Sequence, residues 1–221
     1  MRIQLAAIIC AMAMAVGPVF PNSFPEAEPI LRDWIAKQSA IKTLQADFVQ
    51  IRRLPTVRIP LKKAGRVWFD ATSRFRWQIG EPPEFVAIGS KNELLLVDPK
   101  KSRARVLREG EGSAGPLRFE GLAFPFAKSF EEFDSRFKIL SFRSAADTVE
   151  LVLSGKDSRS AANVTSLRIV FQRNTGVVNL FEITFRDGSQ IATEMTQVVI
   201  NPRITEDTFH YDLSGLNIDE R

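Results

Sequence analysis

Residues 65–77 read Gly-Arg-Val-Trp-Phe-Asp-Ala-Thr-Ser-Arg-Phe-Arg-Trp. Two arms of alternating character flank a short turn. In the second arm Phe75, Trp77 and Ile79 point to one side, and Arg74, Arg76 and Gln78 to the other. Such a segment is committed to a sheet with one apolar face. Its neighbours are of the same kind. Strands are expected at 45–52, 64–70, 75–79, 84–89, 93–98 and 103–108, then at 137–142, 149–154, 165–172, 177–186 and 190–200. The connections between them are mostly too short for crossover helices, so the pairing should be antiparallel. Asp187-Gly188 and Asn174-Thr-Gly176 are hairpin turns by composition. Consecutive hairpins favour an up-and-down curved sheet over a sandwich.

Two zones interrupt the strands. The first is an amphipathic helix opening at Pro29, where a missing N–H costs nothing. Ile30, Leu31, Trp34 and Ile35 form its apolar stripe. The second zone is 110–137. Pro116 opens a short helix carrying Leu117, Phe119 and Leu122, and Pro125 ends it. Ser129-Phe-Glu-Glu132 is a capping box for another helix, with Phe130, Phe133 and Phe137 at spacings of three and four. This stripe suits core packing and the lining of a movable lid equally. Gly110, Gly112, Gly115 and Gly121 give the zone the deformability a lid needs.

Composition narrows the chemistry. Residues 1–20 read as a secretory signal, with Arg2 before an apolar run and small residues after it, and 21–221 as one domain. The apolar run is too short for a membrane span, and no other segment is long enough. Cys10 is the one cysteine and falls inside the signal, so no disulfide or thiol nucleophile is expected in the mature chain. With one histidine, His210, and no calcium-loop pattern, no metal site is expected. No serine lies in a nucleophile elbow, and an enzyme is not expected. Thirty Lys and Arg against 26 Asp and Glu is too mild a balance for a nucleic-acid binder. Lys100, Lys101, Arg103, Arg105 and Arg108 read as the solvated face of a hairpin. Seventeen Phe against one Tyr is more telling, because Phe fills space without a hydroxyl to satisfy.

Gly-x-Val-Trp-Phe, a turn and Arg-Phe-Arg-Trp resemble the periplasmic carriers of outer-membrane lipoproteins, the LolA family. Leu44-Gln-Ala-Asp-Phe-Val-Gln50 is similar to that family's first strand. Gly89-Ser-Lys-Asn-Glu-Leu94 running into Leu95-Leu-Val-Asp-Pro99 is similar to its Asp-Gly-Lys hairpin. The resemblance covers nearly all of the mature chain. It implies a half-open curved antiparallel β-barrel, here of about 11 strands, covered by short helices. It also implies a periplasmic monomer without cofactors whose hydrophobic cavity shields the acyl chains of a lipoprotein or related lipid. Cargo would come from an inner-membrane transporter and go to an outer-membrane acceptor. The cavity is expected to draw on Phe48, Phe75, Trp77, Ile79, Val86, Leu95, Val97, Phe181, Ile183 and Phe185, and the lid on Trp34, Leu117, Phe119, Leu122, Phe130 and Phe133. The family's basic residue before a proline, implicated in holding the lid, is replaced by Ala71-Thr72, which leaves Arg74 or Arg76 as the clamp. The family's aromatic after the Asp-Gly-Lys turn is replaced by Leu95 or Leu96. The alternative is an envelope module that senses lipid or lipoprotein and regulates a partner without transport.

Overall fold

The computed structural model describes residues 24–72, 74–90, 93–108, 127–156 and 163–220. The expected signal segment and the expected helix with Leu117, Phe119 and Leu122 lie outside them. The described chain runs α1 (Ala27–Ala40), β1 (Thr43–Arg53), β2 (Leu61–Asp70), β3 (Arg74–Ile79), β4 (Phe85–Gly89), β5 (Glu93–Asp98) and β6 (Arg103–Arg108). It continues with α2 (Phe130–Arg136), β7 (Phe137–Ser144), β8 (Thr148–Gly155), β9 (Val164–Gln172), β10 (Val178–Phe185), β11 (Gln190–Ile200) and β12 (Asn217–Glu220). All twelve strands form one curved, unclosed sheet in the order β12-β6-β5-β4-β3-β2-β1-β11-β10-β9-β8-β7. Each pairing is antiparallel except β12 with β6. This is the half-open barrel expected, with one strand more. Asn217-Ile-Asp-Glu220 is a four-residue edge strand with a single apolar side chain, so alternation does not reveal it.

β1 holds the sheet together. It pairs with β2 from Thr43 to Arg52 and with β11 from Leu44 to Arg53. A bulge between Gln45 and Asp47 shifts the second pairing, and Gln197 nearby takes a positive φ of 48°. The two halves of the sheet therefore share one alternation. On one face a row runs Gln50–Thr193–Phe181–Ile169–Leu151–Phe142. Phe48, two residues from Gln50, belongs to the same face.

The helices cover one half of that face. Leu31, Trp34 and Ile35 of α1 and Phe133 of α2 are buried against Val149, Leu151, Ile169, Phe171 and Phe181. The Trp34 indole stacks on Phe171 at 4.5 Å and donates to the Gly176 carbonyl at 2.9 Å. Burying such side chains contributes about 1.5–3 kcal/mol each. The Arg32–Glu131 pair joins α1 to α2 and the Glu28–Arg32 pair lies within α1, but both are half exposed and contribute about 0–1 kcal/mol each. The apolar stripe, not the charges, docks the helix. At α2 the Ser129 hydroxyl accepts from the Glu132 N–H, and Glu132 reaches back to the Lys128 N–H.

Close packing on the other half needs glycine at two positions. A Cβ on Gly65 would collide with the Phe48 ring and the Gln78 carbonyl oxygen. One on Gly89 would collide with the Phe75 ring. At Gly65 one obstacle is backbone of the adjoining strand and cannot step aside. Gly65→Ala is therefore expected to destabilise the protein by about 1–3 kcal/mol, read from the urea midpoint at unchanged m-value.

Candidate functional site

Beside the helix-covered half, the same face continues over β1 to β5. Its floor is set by register. Ala46 pairs with Val67, Val67 with Trp77, Trp77 with Ala87, and Ala87 with Leu96. One row along, Ile79 pairs with Phe85, and Phe75 pairs with Gly89, which pairs with Leu94. These side chains form a cluster in which Phe48 stacks on Trp77 at 4.0 Å. Phe75, Ile79, Phe85, Leu94 and Leu96 are only partly buried in it. No side chain of α1 or α2 belongs to this cluster. At the β5–β6 end the floor opens into a groove of about 650 Å³. Phe85 and Leu96 line it on the apolar side, and Asp98, Arg103, Arg105 and Asp219 on the polar side. Arg105 lies 3.6 Å from Asp219, and Lys101 holds the Asp98 carboxylate below its usual range.

The reverse face is closed differently. Val86, Ile88, Val97 and Ala104 are covered by Phe209, Tyr211 and Leu213 from the segment after β11. Arg74 and Arg76 project to this side. Arg74 pairs with Glu206, and with Asp70 at 2.8 Å, and its guanidinium sits 4.7 Å from the Phe209 ring. Arg76 donates to the Thr208 and His210 carbonyls at 3.2 and 3.0 Å. The carboxylates hold the Arg74 pKa up, whereas burial pushes that of Arg76 down.

A one-sided apolar floor on an open antiparallel sheet, half roofed by helices, agrees with one family in particular. Residues 39–212 match the model of the family described as "Outer membrane lipoprotein carrier protein LolA". The chain belongs to the LolA family. No curated protein matches it. Among solved structures it is similar to an uncharacterized conserved protein of Thermus thermophilus, at 10% identity and TM-score 0.54, over 89% of this chain and 99% of that one. A LolA superfamily protein of Nitrosomonas europaea aligns at 10% identity and TM-score 0.43, over 84% and 97%. MucB in the MucA/MucB complex of Pseudomonas aeruginosa aligns at 12% identity and TM-score 0.49, over 88% of this chain and 63% of that one.

Within this LolA-family sheet the expected cavity residues divide. Phe48, Phe75, Trp77 and Ile79 come together on the open floor. Phe181 and Ile183 lie on the same face but in the helix-covered half, where Trp34, Phe130 and Phe133 also pack. Phe185, half-buried, ends β10. Val86, Leu95 and Val97 lie on the reverse face under the C-terminal segment. The pairing of Val86 with Gln78 and Val97 puts them there, one residue out of phase with Trp77. Their places on the floor are taken by Phe85, Ala87, Leu94 and Leu96. Large-to-small complementarity across β3 and β4, with Phe75 over Gly89, is the signal that could have found them.

Arg74 and Arg76 likewise differ from the lid clamp expected. Their hydrogen bonds fasten residues 206–210 to the back of β3. Among the described residues no three His, Cys, Asp or Glu side chains gather as a metal set. Among them no helix is long and apolar enough to cross a membrane.

The Arg74 hydrogen bond holds the Glu206 carboxyl below its ordinary value. A lowered folded-state pKa gives stabilisation that is present above the unfolded value, about 4.3 for Glu, and lost as pH falls through the folded one. Amide exchange of residues 206–213, corrected for intrinsic rates, is expected to quicken below that range. Glu206→Gln should reduce the pH step, leaving the share that Asp70 and Asp212, both also held below their ordinary values, contribute. Arg76→Ala removes two bonds from a charged donor and is expected to cost about 1.5–3 kcal/mol, seen as a lower urea midpoint.

Proposed function

We propose that this protein is a periplasmic carrier that shelters the acyl chains of lipoproteins, or a related lipid, and delivers them to the outer membrane. The observation that supports this reading is a floor that, among the described residues, is left without helix cover. Phe75, Ile79, Phe85, Leu94 and Leu96 gather on one face yet remain partly exposed, and no α1 or α2 side chain joins them. The family match adds the carrier precedent.

The physical demand is plain. Each buried CH₂ is worth about 0.8 kcal/mol, so a chain of about fifteen carries roughly 12 kcal/mol of transfer cost in water. A carrier must offset most of this and still release. The two halves of the face divide that work. The α1 and α2 half is packed and fixed, and supplies rigidity. The β1 to β5 half presents a cluster of aromatic and aliphatic side chains, so it would accept chains without specific hydrogen bonds and hold them loosely. The adjoining groove, lined in part by Arg103 and Arg105, supports this reading by offering charged side chains to the polar end of an amphiphile. No bond is made or broken in this cycle, and none of its steps calls for a catalytic group or cofactor.

Protein purified from a Gram-negative periplasm is expected to carry lipid, extractable into solvent and identifiable by mass spectrometry. A fluorescent fatty-acyl probe should bind the stripped protein saturably. A lipid-free preparation that binds neither the probe nor an acylated peptide would reject the carrier reading. Phe75→Glu places a carboxylate on the floor, and should weaken probe binding about tenfold or more with the far-UV circular dichroism unchanged.

A further inference from the structure

The β1–β2 hairpin carries features that neither the floor nor the C-terminal clamp uses. Between Asp47 and Asp70 the chain has no acidic residue, yet Arg52, Arg53, Arg58, Lys62 and Lys63 fall in 52–63. The loop joining the strands, 54–60, sits among them. Its apolar side chains are not tucked in. Ile59 is 78% exposed, Leu61 53% and Val57 43%, among the largest exposures of bulky apolar side chains in the described chain.

The hairpin also reaches past its neighbour. Pairing of β2 with β3 begins at Gly65, so Leu61, Lys62 and Lys63 extend beyond the end of β3. At about 3.3 Å per residue this is an overhang of about 10 Å. Arg53 pairs with Glu182 and Lys63 with Glu84 at the base. Arg58 and Lys62, nearer the tip, have no ion-pair partner among the described residues. Of the five cations, Arg53 and Lys63 are thus paired, and the two nearest the tip are left to solvent.

Three explanations compete for an exposed aliphatic tip in a basic collar. An edge for strand addition is disfavoured, because Pro55 and Pro60 lack the N–H groups that a new strand would need. An acidic protein partner would answer the charge. However, a stable protein interface takes about 800 Å² from each side, and a loop of this size with aliphatic rather than aromatic anchors supplies little of it. A bilayer with anionic headgroups answers both features at once. The cations meet phosphates at the surface, and Val57, Ile59 and Leu61 enter the boundary beneath them.

We infer that the tip of the β1–β2 hairpin is a membrane-docking element that recognises the surface of an anionic phospholipid bilayer through Arg58 and Lys62 and inserts Ile59 with its aliphatic neighbours. The inference does not depend on what the floor holds. It adds an address to the protein: the rim that approaches a membrane is the one bearing this hairpin.

Flotation with vesicles tests it. The purified protein is expected to float with phosphatidylcholine vesicles containing phosphatidylglycerol, less so as salt is raised, and not with phosphatidylcholine alone. Ile59→Asp, and separately Arg58→Glu with Lys62→Glu, should each weaken that binding about tenfold or more. A dye sensitive to polarity, attached to Ile59→Cys in a Cys10→Ser background, should shift to the blue on the anionic vesicles only. Wild-type protein that stays at the bottom, variants that float as it does, or a dye that reports water throughout would overturn the assignment. Binding of the acyl probe by Ile59→Asp is expected to equal that of wild type. Loss of docking with retained probe binding, or the converse, therefore separates a failure of this inference from a failure of the carrier reading.

Discussion

The alternation carried by β1 is the constraint on which the molecule depends. β1 is hydrogen-bonded along nearly its whole length to β2 on one side and β11 on the other. Because side chains alternate with period two, its register decides which residues of both flanking hairpins face the helices. Shift either pairing by one residue and Phe48 would leave Trp77, while Phe181 would lose the face it shares with Trp34. The bulge at Gln45/Asp47 absorbs the extra residue of β11 without reversing faces farther along. Every later feature inherits this parity: the packed half, the open half and the arginines behind.

The reverse face explains why so much apolar sequence is needed at β4 and β5. Phe85-Val-Ala-Ile88 and Leu94-Leu-Leu-Val97 are apolar at every position. A sheet with one solvated face would alternate there. These strands do not, because residues 204–216 fold back across the outside and bury Val86, Ile88 and Val97. Arg74 and Arg76 pin that segment through side-chain and main-chain acceptors. The sheet is thereby stiffened from behind at the place where its front carries no α1 or α2 packing. If the floor serves as the proposed cargo surface, it cannot be braced by filling it, and this bracing lies on the other side.

This is also why part of the site was legible in the sequence and part was not. β3 alternates cleanly, Phe-Arg-Trp-Gln-Ile, and its floor residues could be read directly. β5 could be placed but not oriented, since four consecutive apolar residues fit either face equally. The same holds for Val86, whose neighbours Phe85 and Ala87 turned out to be the inward pair. The phase between β3 and β4 depends on the conformation of residues 80–84, and no periodicity crosses that turn. For the arginines, expected as a lid clamp, nothing local reveals that their partners come from a segment about 130 residues later. Helix positions were clearer: the Trp34 stripe and the Ser129 cap both depend on contacts a few residues apart.

In the proposed carrier, loose holding would follow from this arrangement rather than from weakness of any single contact. In the α1 half, Trp34 is stacked, hydrogen-bonded and fully enclosed, so that region is a finished core with nothing left to offer a ligand. In the β1–β5 half, Phe48 and Trp77 are stacked on each other, but their neighbours keep exposed surface. An acyl chain laid on this cluster would gain contact area in proportion to its length and would make no specific hydrogen bond to its members. Release then costs only the area given up, which an acceptor of greater apolar surface can return. Had the floor carried buried hydrogen-bonding groups, each would have to be left unsatisfied or refilled by water at the transfer step, adding about 1–3 kcal/mol apiece to the barrier. For the carrier proposed above, an apolar floor stiffened from behind would allow binding and delivery by the same surface.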